Sequence, residues 1–135
     1  MKIEIKQLLR ERLLTKDEID IRVISDFVNF AKEYLGITDD VKVELAFERV
    51  PSLTTVAYYS PNKLMVYVKD RLICDIERSL GHELTHHKQY LDGRLTDFIE
   101  DGKTGSKLEN EANAIAGILV RDWGKLHPEI YYKQL

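Results

Sequence analysis

The sequence predicts a single α+β domain over residues 1–135, with a small antiparallel or mixed sheet of about three strands packed on two helices and further helices near the N-terminus. Three observations lead to this prediction. A chain of 135 residues is long enough for one hydrophobic core. Apolar residues recur at helical spacing in residues 71–91 and 106–123, and they alternate with polar residues in 41–47.

Charge and composition narrow the classes of function. The net charge is −3 and no run of lysine or arginine occurs, so we expect binding neither to nucleic acid nor to a membrane. Cys74 is the only cysteine, which leaves no intrachain disulfide. No stretch is apolar enough to span a bilayer and the first residues are too charged for a signal peptide, so we expect a cytoplasmic protein. The sequence leaves the oligomeric state open.

The N-terminal part of the chain predicts helices. Residues 2–14 suit a short amphipathic helix, with a strand as the alternative for the first few residues. Thr15 and Glu18 form a capping box ahead of a second helix, which should reach Leu35 and stop at Gly36.

Three short segments after this helix predict strands. Residues 41–47 alternate between apolar and polar, as in a half-buried strand, and Pro51 ends the pattern. Residues 54–59 and 63–68 then predict a hairpin around a turn at Pro61.

The strongest functional signal is the run His-Glu-Leu-Thr-His at residues 82–86, within the predicted helix 71–91 that ends at Gly93. Two histidines four positions apart lie on one helix face, so both imidazoles can reach one Zn²⁺ at about 2.0–2.1 Å. Glu83 lies one step round the helix and can face a water on the metal. This spacing is typical of a hydrolytic zinc site with a carboxylate general base.

Such a site needs a third ligand, and the second predicted helix offers two carboxylates. Ser106 and Glu109 form a capping box at its start, and Gly124 is expected to end it. The apolar stripe of this helix contains Leu108, Ile115 and Ile118. Glu111 falls in that stripe, where a carboxylate is costly unless it is paired or bound to metal. We therefore expect Glu111 to be the third ligand, with an ordinary salt-bridged glutamate as the alternative.

Two other residues near the motif are weaker candidate ligands. His87 points toward the apolar side of its helix, so we interpret it as a packed histidine bonded to a neighbour. Asp92 occupies the last-ligand position of the longer motif H-E-x-x-H-x-x-G-x-x-H. Gln89 replaces the required glycine, however, so the helix should carry Asp92 away from the metal.

The motif at 82–86 followed by Asn110-Glu111-Ala112 resembles the gluzincin metallopeptidases, whose glutamate helix carries an N-E-A or E-x-E-A signature. The resemblance implies Zn²⁺ on His82, His86 and Glu111 with an open position for water. It also gives Asn110 the role of orienting a metal-binding histidine, as in thermolysin-like members.

One element of the thermolysin-like pattern is missing from this sequence. Those members carry an aspartate four residues after the ligand glutamate, and that position is Ile115 here. The partner of the other histidine is therefore open, with Asp75, Ser79 and Asp122 as candidates.

The predicted hairpin resembles the same family. Ala57, Tyr58 and Tyr59, followed by Met65-Val66-Tyr67, resemble its edge strand and the strand next to it. In that family the edge strand binds the substrate backbone as an added β-strand. The short chain resembles the one-domain minigluzincins, or the short HExxH proteins of phages and prokaryotes, so we expect a zincin-like fold.

The resemblance implies a hydrolase that cleaves peptide or protein substrates. Glu83 would take a proton from the zinc-activated water and pass it to the leaving amine. Tyr131 and His127 are candidate donors to the oxyanion, with Tyr132 and Tyr90 as further possibilities. Two alternatives remain: a catalytically inactive zincin-like domain that binds a partner peptide on its edge strand, and a structural α+β protein with a coincidental motif.

Overall fold

The computed structural model describes residues 2–6, 21–47, 57–61, 63–97, 101 and 103–135. The predicted capping box at Thr15 and Glu18, the helical interpretation of residues 7–14 and the break at Pro51 lie outside these residues.

The sheet is small and mixed, as predicted, and the described residues contribute four strands to it, in the order β1-β2-β4-β3. The strands are β1 (Lys2–Lys6), β2 (Lys42–Ala46), β3 (Ala57–Ser60) and β4 (Lys63–Tyr67). β1, β2 and β4 are parallel, and β3 pairs antiparallel with β4 at the edge of the sheet. The first residues therefore form a strand, and the helical interpretation is wrong for residues 2–6.

The described residues form three helices: α1 (Ile21–Leu35), α2 (Ile73–Leu91) and α3 (Lys107–Leu126). Helix α2 packs against β3 and β4, and α1 and α3 pack against α2. The predicted ends of the first two are confirmed, because Gly36 and Gly93 both have φ +73° after the helix, a conformation that suits glycine. A 3₁₀ turn, Pro128–Tyr131, follows α3. Among the described residues, no helix is both long and apolar enough to cross a membrane. The α+β class is confirmed.

The core lies between the sheet and the helices. Val43, Leu45, Leu64 and Val66 of the two central strands are fully buried beside the apolar face of α2. Alternation in β2 is incomplete, since Glu44 is also buried, with its carboxylate 3.1 Å from the Lys63 ammonium.

Helices α2 and α3 run antiparallel and approach closely. A Cβ added at Gly81 would lie 3.3 Å from Leu119 Cδ1 and 3.4 Å from Ala116 Cα, while at the other end Gln89 bonds to the Leu108 carbonyl. Small residues at the crossing, Gly81 and Ala116, allow this approach because the distance between packed helices depends on the side chains between them.

Gly124 does not end α3, contrary to the sequence prediction. It lies buried inside the helix, which continues to Leu126. A Cβ at this position would overlap the Tyr131 ring, so the glycine provides space for the 3₁₀ turn to fold back on α3. The pattern that suggested a stop reflects a long-range packing contact.

The start of α2 has no side-chain cap. Leu72 precedes the helix, and the Ile73 amide donates to the carbonyl of Lys133 at 2.9 Å. A β-bridge between Leu72 and Gln134 holds the same C-terminal segment in place. Backbone from residues 133–134 therefore satisfies one of the amides that a helix N-terminus leaves unpaired.

Glu77 of α2 is a fully buried carboxyl group, and neither oxygen has a hydrogen-bond partner among the residues that the structure describes. Burial, with a smaller contribution from the Glu129 carboxylate, raises its pKa to about 8. The acid is therefore favoured in its neutral form in the folded protein.

We expect Gly81→Val to lower the free energy of unfolding by about 1–3 kcal/mol, because the added methyl groups overpack the α2–α3 crossing. The matched control is Gly117→Val, at a helical glycine with no atom within 4 Å of an added Cβ, which should change stability by less than about 0.5 kcal/mol. Urea denaturation of the three proteins measures both effects. Equal effects at the two glycines would contradict the close packing at Gly81.

We expect Glu77→Gln to stabilise the protein more at pH 9 than at pH 5. Between pH 4.5 and about 8 the folded protein holds a proton on Glu77 that the unfolded chain has lost, so the stability of the wild type falls as the pH rises. The neutral amide removes this penalty, which is on the order of a few kcal/mol. Urea denaturation at both pH values tests this, with the exposed Glu33→Gln as control. A pH-independent difference for Glu77→Gln would contradict the burial of an acid there.

Candidate metal centre

Three potential metal ligands converge where α2 faces the first turn of α3. The Nε2 atoms of His82 and His86 each lie 2.9 Å from a carboxylate oxygen of Glu109, and they are 3.1 Å from each other. The two rings are nearly perpendicular, at 86°. One ligand atom from each of the three residues lies within 4.8 Å of the others. The sequence prediction that His82 and His86 share a helix face holds in the structure.

The carboxylate between the histidines is that of Glu109, which corrects the expectation of Glu111. Glu111 instead accepts two hydrogen bonds of 2.8 Å from the Arg94 guanidinium and one of 3.1 Å from Gln89. These bonds, chiefly those from Arg94, hold the pKa of Glu111 below its usual value. The alternative of a salt-bridged helix glutamate describes Glu111 correctly.

Of the two hydrogen bonds in the predicted capping box at Ser106 and Glu109, the structure shows one. The Ser106 hydroxyl accepts the Glu109 amide at 3.2 Å, as in a capping box. The reciprocal bond is absent among the described contacts, since the Ser106 amide donates to the Lys103 carbonyl. The Glu109 carboxylate is therefore available to the histidines.

The partners of the histidines also differ from those expected. The Asn113 side chain, one helical turn after Glu109, lies close to His82, and His86 Nδ1 lies 2.8 Å from Gln89 Oε1. Asn110 instead donates to the Gly105 carbonyl at 3.3 Å. Once Glu109 is the central carboxylate, Asn113 rather than Ile115 is the residue four positions later.

Asp75 and Ser79 form hydrogen bonds at the start of α2 rather than with the histidines. Arg71 donates to the Asp75 carboxylate at 2.8 Å and to the Ser79 hydroxyl at 2.7 Å. It also donates to the Tyr67 carbonyl, which joins α2 to the end of β4. The third candidate partner, Asp122, pairs with its neighbour Arg121 at 3.1 Å.

His87 is a buried structural residue, as the sequence indicated. Its Nδ1 accepts the Tyr59 hydroxyl at 2.7 Å and its Nε2 lies 2.9 Å from the Asp39 carboxylate. Both ring nitrogens are used, so none is left for a metal. Asp92 forms an ion pair with Lys88 at 3.2 Å and does not join the ligand cluster.

The Tyr59–His87 hydrogen bond also holds the edge strand against α2. β3, which contains Ala57, Tyr58 and Tyr59, is the outer strand of the sheet and is tied to α2 beside His86. The expected edge position of this strand is observed.

The two expected oxyanion donors lie far from the cluster. The Tyr131 hydroxyl is 3.5 Å from the Val120 carbonyl, and the His127 ring stacks on Trp123 at 4.0 Å. Val120 follows Glu109 by 11 residues, about 16 Å along a helix. Both residues pack the C-terminal end of α3, so the structure gives them no contact with the histidines.

Burial perturbs the titration of the groups at this site. Burial and, to a smaller extent, repulsion by the Glu109 carboxylate raise the pKa of Glu83 to about 8. Burial also lowers the pKa of His82, an effect that Glu109 opposes. Glu83 is 8% exposed and lies directly next to His82 in the chain. The region thus combines a buried carboxyl, two imidazoles and a carboxylate.

The donor set fits a divalent cation. A tetrahedral ion with ligands at 2.0–2.1 Å holds them about 3.3 Å apart, close to the separations of 2.9 and 3.1 Å between these atoms. Two histidines and one carboxylate form the ligand class of catalytic zinc sites. The sequence signal that could have found Glu109 was its spacing from Asn113, which places both on one helix face.

Comparison with known proteins gives no match of this chain to a family model, to a curated protein or to a solved structure.

We expect Glu109→Gln to weaken Zn²⁺ binding by at least about 100-fold, because it removes an anionic ligand. The matched variant Glu111→Gln changes the carboxylate that the sequence favoured and should weaken binding by less than about 10-fold. Competition with a chromophoric chelator measures both affinities. The reverse order would restore Glu111 as the ligand.

Proposed function

We propose that this protein is a zinc-dependent metallopeptidase of the gluzincin type, a hydrolase with the compact zincin-like architecture of the minigluzincins. The observation that carries the proposal is the convergence of His82, His86 and Glu109, beside the buried carboxyl of Glu83. The histidines and Glu83 come from one turn of α2 and the third ligand from α3. The resemblance of the sequence to gluzincins supports this assignment.

Moving the third ligand from Glu111 to Glu109 takes it out of the N-E-A signature but places a polar residue four positions after it. With Glu109 as the ligand, that position holds Asn113, an amide close to His82. The family carries an aspartate at this position, so an amide replaces a carboxylate in orienting the histidine. The other histidine, His86, has Gln89 as its partner, a role that the resemblance gave to Asn110.

Each part of the site has a role in peptide hydrolysis. Bound Zn²⁺ supplies Lewis acidity, which acidifies a water and polarises the scissile carbonyl. Glu83 accepts a proton from the attacking water and delivers it to the leaving amine. The C–O bond to the carbonyl carbon forms first, and the C–N bond then breaks as the leaving amine takes up that proton.

An extended substrate would bind along β3. This strand is at the edge of the sheet and the Tyr59 hydroxyl ties it to α2 beside His86, so a peptide added to it runs past the cluster. Such pairing recognises backbone rather than side chains, which suits an unfolded protein segment as substrate.

We expect Glu83→Gln to reduce cleavage of a denatured, alkylated protein by at least about 100-fold while zinc content stays at the wild-type level, because the amide cannot accept the proton. Glu77→Gln, the same change on the same helix outside the cluster, is the matched control and should retain activity. The measurements are peptide release by mass spectrometry and metal content by elemental analysis. A zinc-loaded wild type that cleaves none of a panel of denatured proteins would favour a peptide-binding domain instead.

A further inference from the structure

We infer that Gln89 is a positioning residue for the metal centre. Its amide fixes the tautomer and ring orientation of His86, and the same amide links His86 to α3. The inference rests on the proposed metal site. Gln89 is 1% exposed and lies one turn after His86 on α2. In the sequence this residue stood out only as the position where a longer zinc motif would need glycine.

The orientation of the Gln89 amide follows from its partners. Its nitrogen lies 3.0 Å from the Leu108 carbonyl oxygen and 3.1 Å from Glu111 Oε1. A backbone carbonyl can only accept a hydrogen bond, and so can an ionised carboxylate. The Leu108 carbonyl fixes the direction of the amide by itself, and both oxygens of Glu111 already accept from Arg94. The NH₂ group must therefore face α3, which leaves the amide oxygen facing His86.

The amide orientation in turn determines the state of the His86 ring. Gln89 Oε1 lies 2.8 Å from His86 Nδ1 and can only accept, so Nδ1 carries a proton and donates it. In the neutral imidazole the lone pair is then on Nε2, the atom 2.9 Å from Glu109. Gln89 thus presets the form of His86 that can bind a metal.

The structure also explains what holds Gln89 itself. Its backbone carbonyl accepts the amides of Arg94 at 2.8 Å and Leu95 at 3.2 Å, where the chain leaves α2. Arg94 then reaches Glu111 with two bonds of 2.8 Å. A closed set of contacts therefore links the end of α2 to the first turn of α3. The Arg94–Glu111 pair is partly exposed, so it contributes less than the buried bonds of Gln89.

A residue that only joins the two helices would behave differently from one that positions His86. Gln89→Met keeps the length of the side chain but removes both the acceptor for His86 and the donor to α3. The double variant Gln89→Glu/Glu111→Gln exchanges the two groups, so position 89 still accepts from His86 Nδ1 and position 111 now donates to it, while only the donor to the Leu108 carbonyl is lost. A purely structural role predicts that any loss of zinc affinity in Gln89→Met is matched by a loss of folding stability and leaves the cobalt bands of the bound protein unchanged.

The test is zinc affinity by chelator competition, with the visible spectrum of the Co²⁺-loaded protein as a second readout. We expect Gln89→Met to lose about 10- to 100-fold in zinc affinity and to alter the cobalt bands, while the double variant recovers most of that loss. Arg94→Ala is the control and should cost less than about 10-fold. Wild-type affinity in Gln89→Met, or equal losses in the Met and exchange variants, would overturn the inference.

A measurement on the wild type tests the inference without any variant. In the zinc-loaded protein, the His86 Nδ1–H proton should give a slowly exchanging NMR signal, because its bond to Gln89 is buried. Rapid exchange of this proton would contradict the inference. These outcomes are distinct from those that test the proposed function. Wild-type protein that binds zinc but cleaves no substrate would contradict the peptidase activity and leave the role of Gln89 intact. Normal zinc affinity in Gln89→Met would contradict the role of Gln89 and leave the peptidase proposal intact.

Discussion

The close antiparallel contact between α2 and α3 is the constraint on which the candidate site depends. The histidines belong to one helix and the carboxylate to the other, so the cluster exists only at one relative position of the two. Gly81 and Ala116 permit the approach, and Gln89 closes the far end of the same interface. A slip of one turn, about 5.4 Å, would remove Glu109 from the histidines.

This contact also explains why the sequence favoured the wrong glutamate. The stripe used to orient α3 consisted of large apolar residues, of which Ile115 and Ile118 are only partly buried. The face that meets α2 is made of small residues, Ala112 and Ala116, which are fully buried. Glu109 is about 20° from Ala116 on the helical wheel and Glu111 about 140°. Two helices pack closely only where their side chains are small. A stripe defined by bulky apolar residues therefore identifies a neighbouring face of α3 and not the face that contacts α2.

Local patterns predicted much of the remaining fold, and long-range contacts account for what they missed. The α+β class, the helix ends at Gly36 and Gly93 and the shared face of the two histidines all follow from spacing within one segment. The parallel pairing of β1 with β2 does not, because the partner lies about forty residues away. Gly124 resembled a helix stop because the pattern within α3 does not show that Tyr131, seven residues later, folds back onto this position. The partners of the histidines, Asn113 and Gln89, likewise depend on the packing of the two helices.

The backbone cap on α2 makes the helix that carries the histidines dependent on residues far along the chain. Its first amide is paired with Lys133 and its preceding residue with Gln134, so the local sequence alone does not complete the first turn. A protease that trims residues 133–135 would leave this amide to water and allow the turn to fray. His82 lies more than two turns further along, so limited trimming would loosen the helix at one end before it reached the ligands.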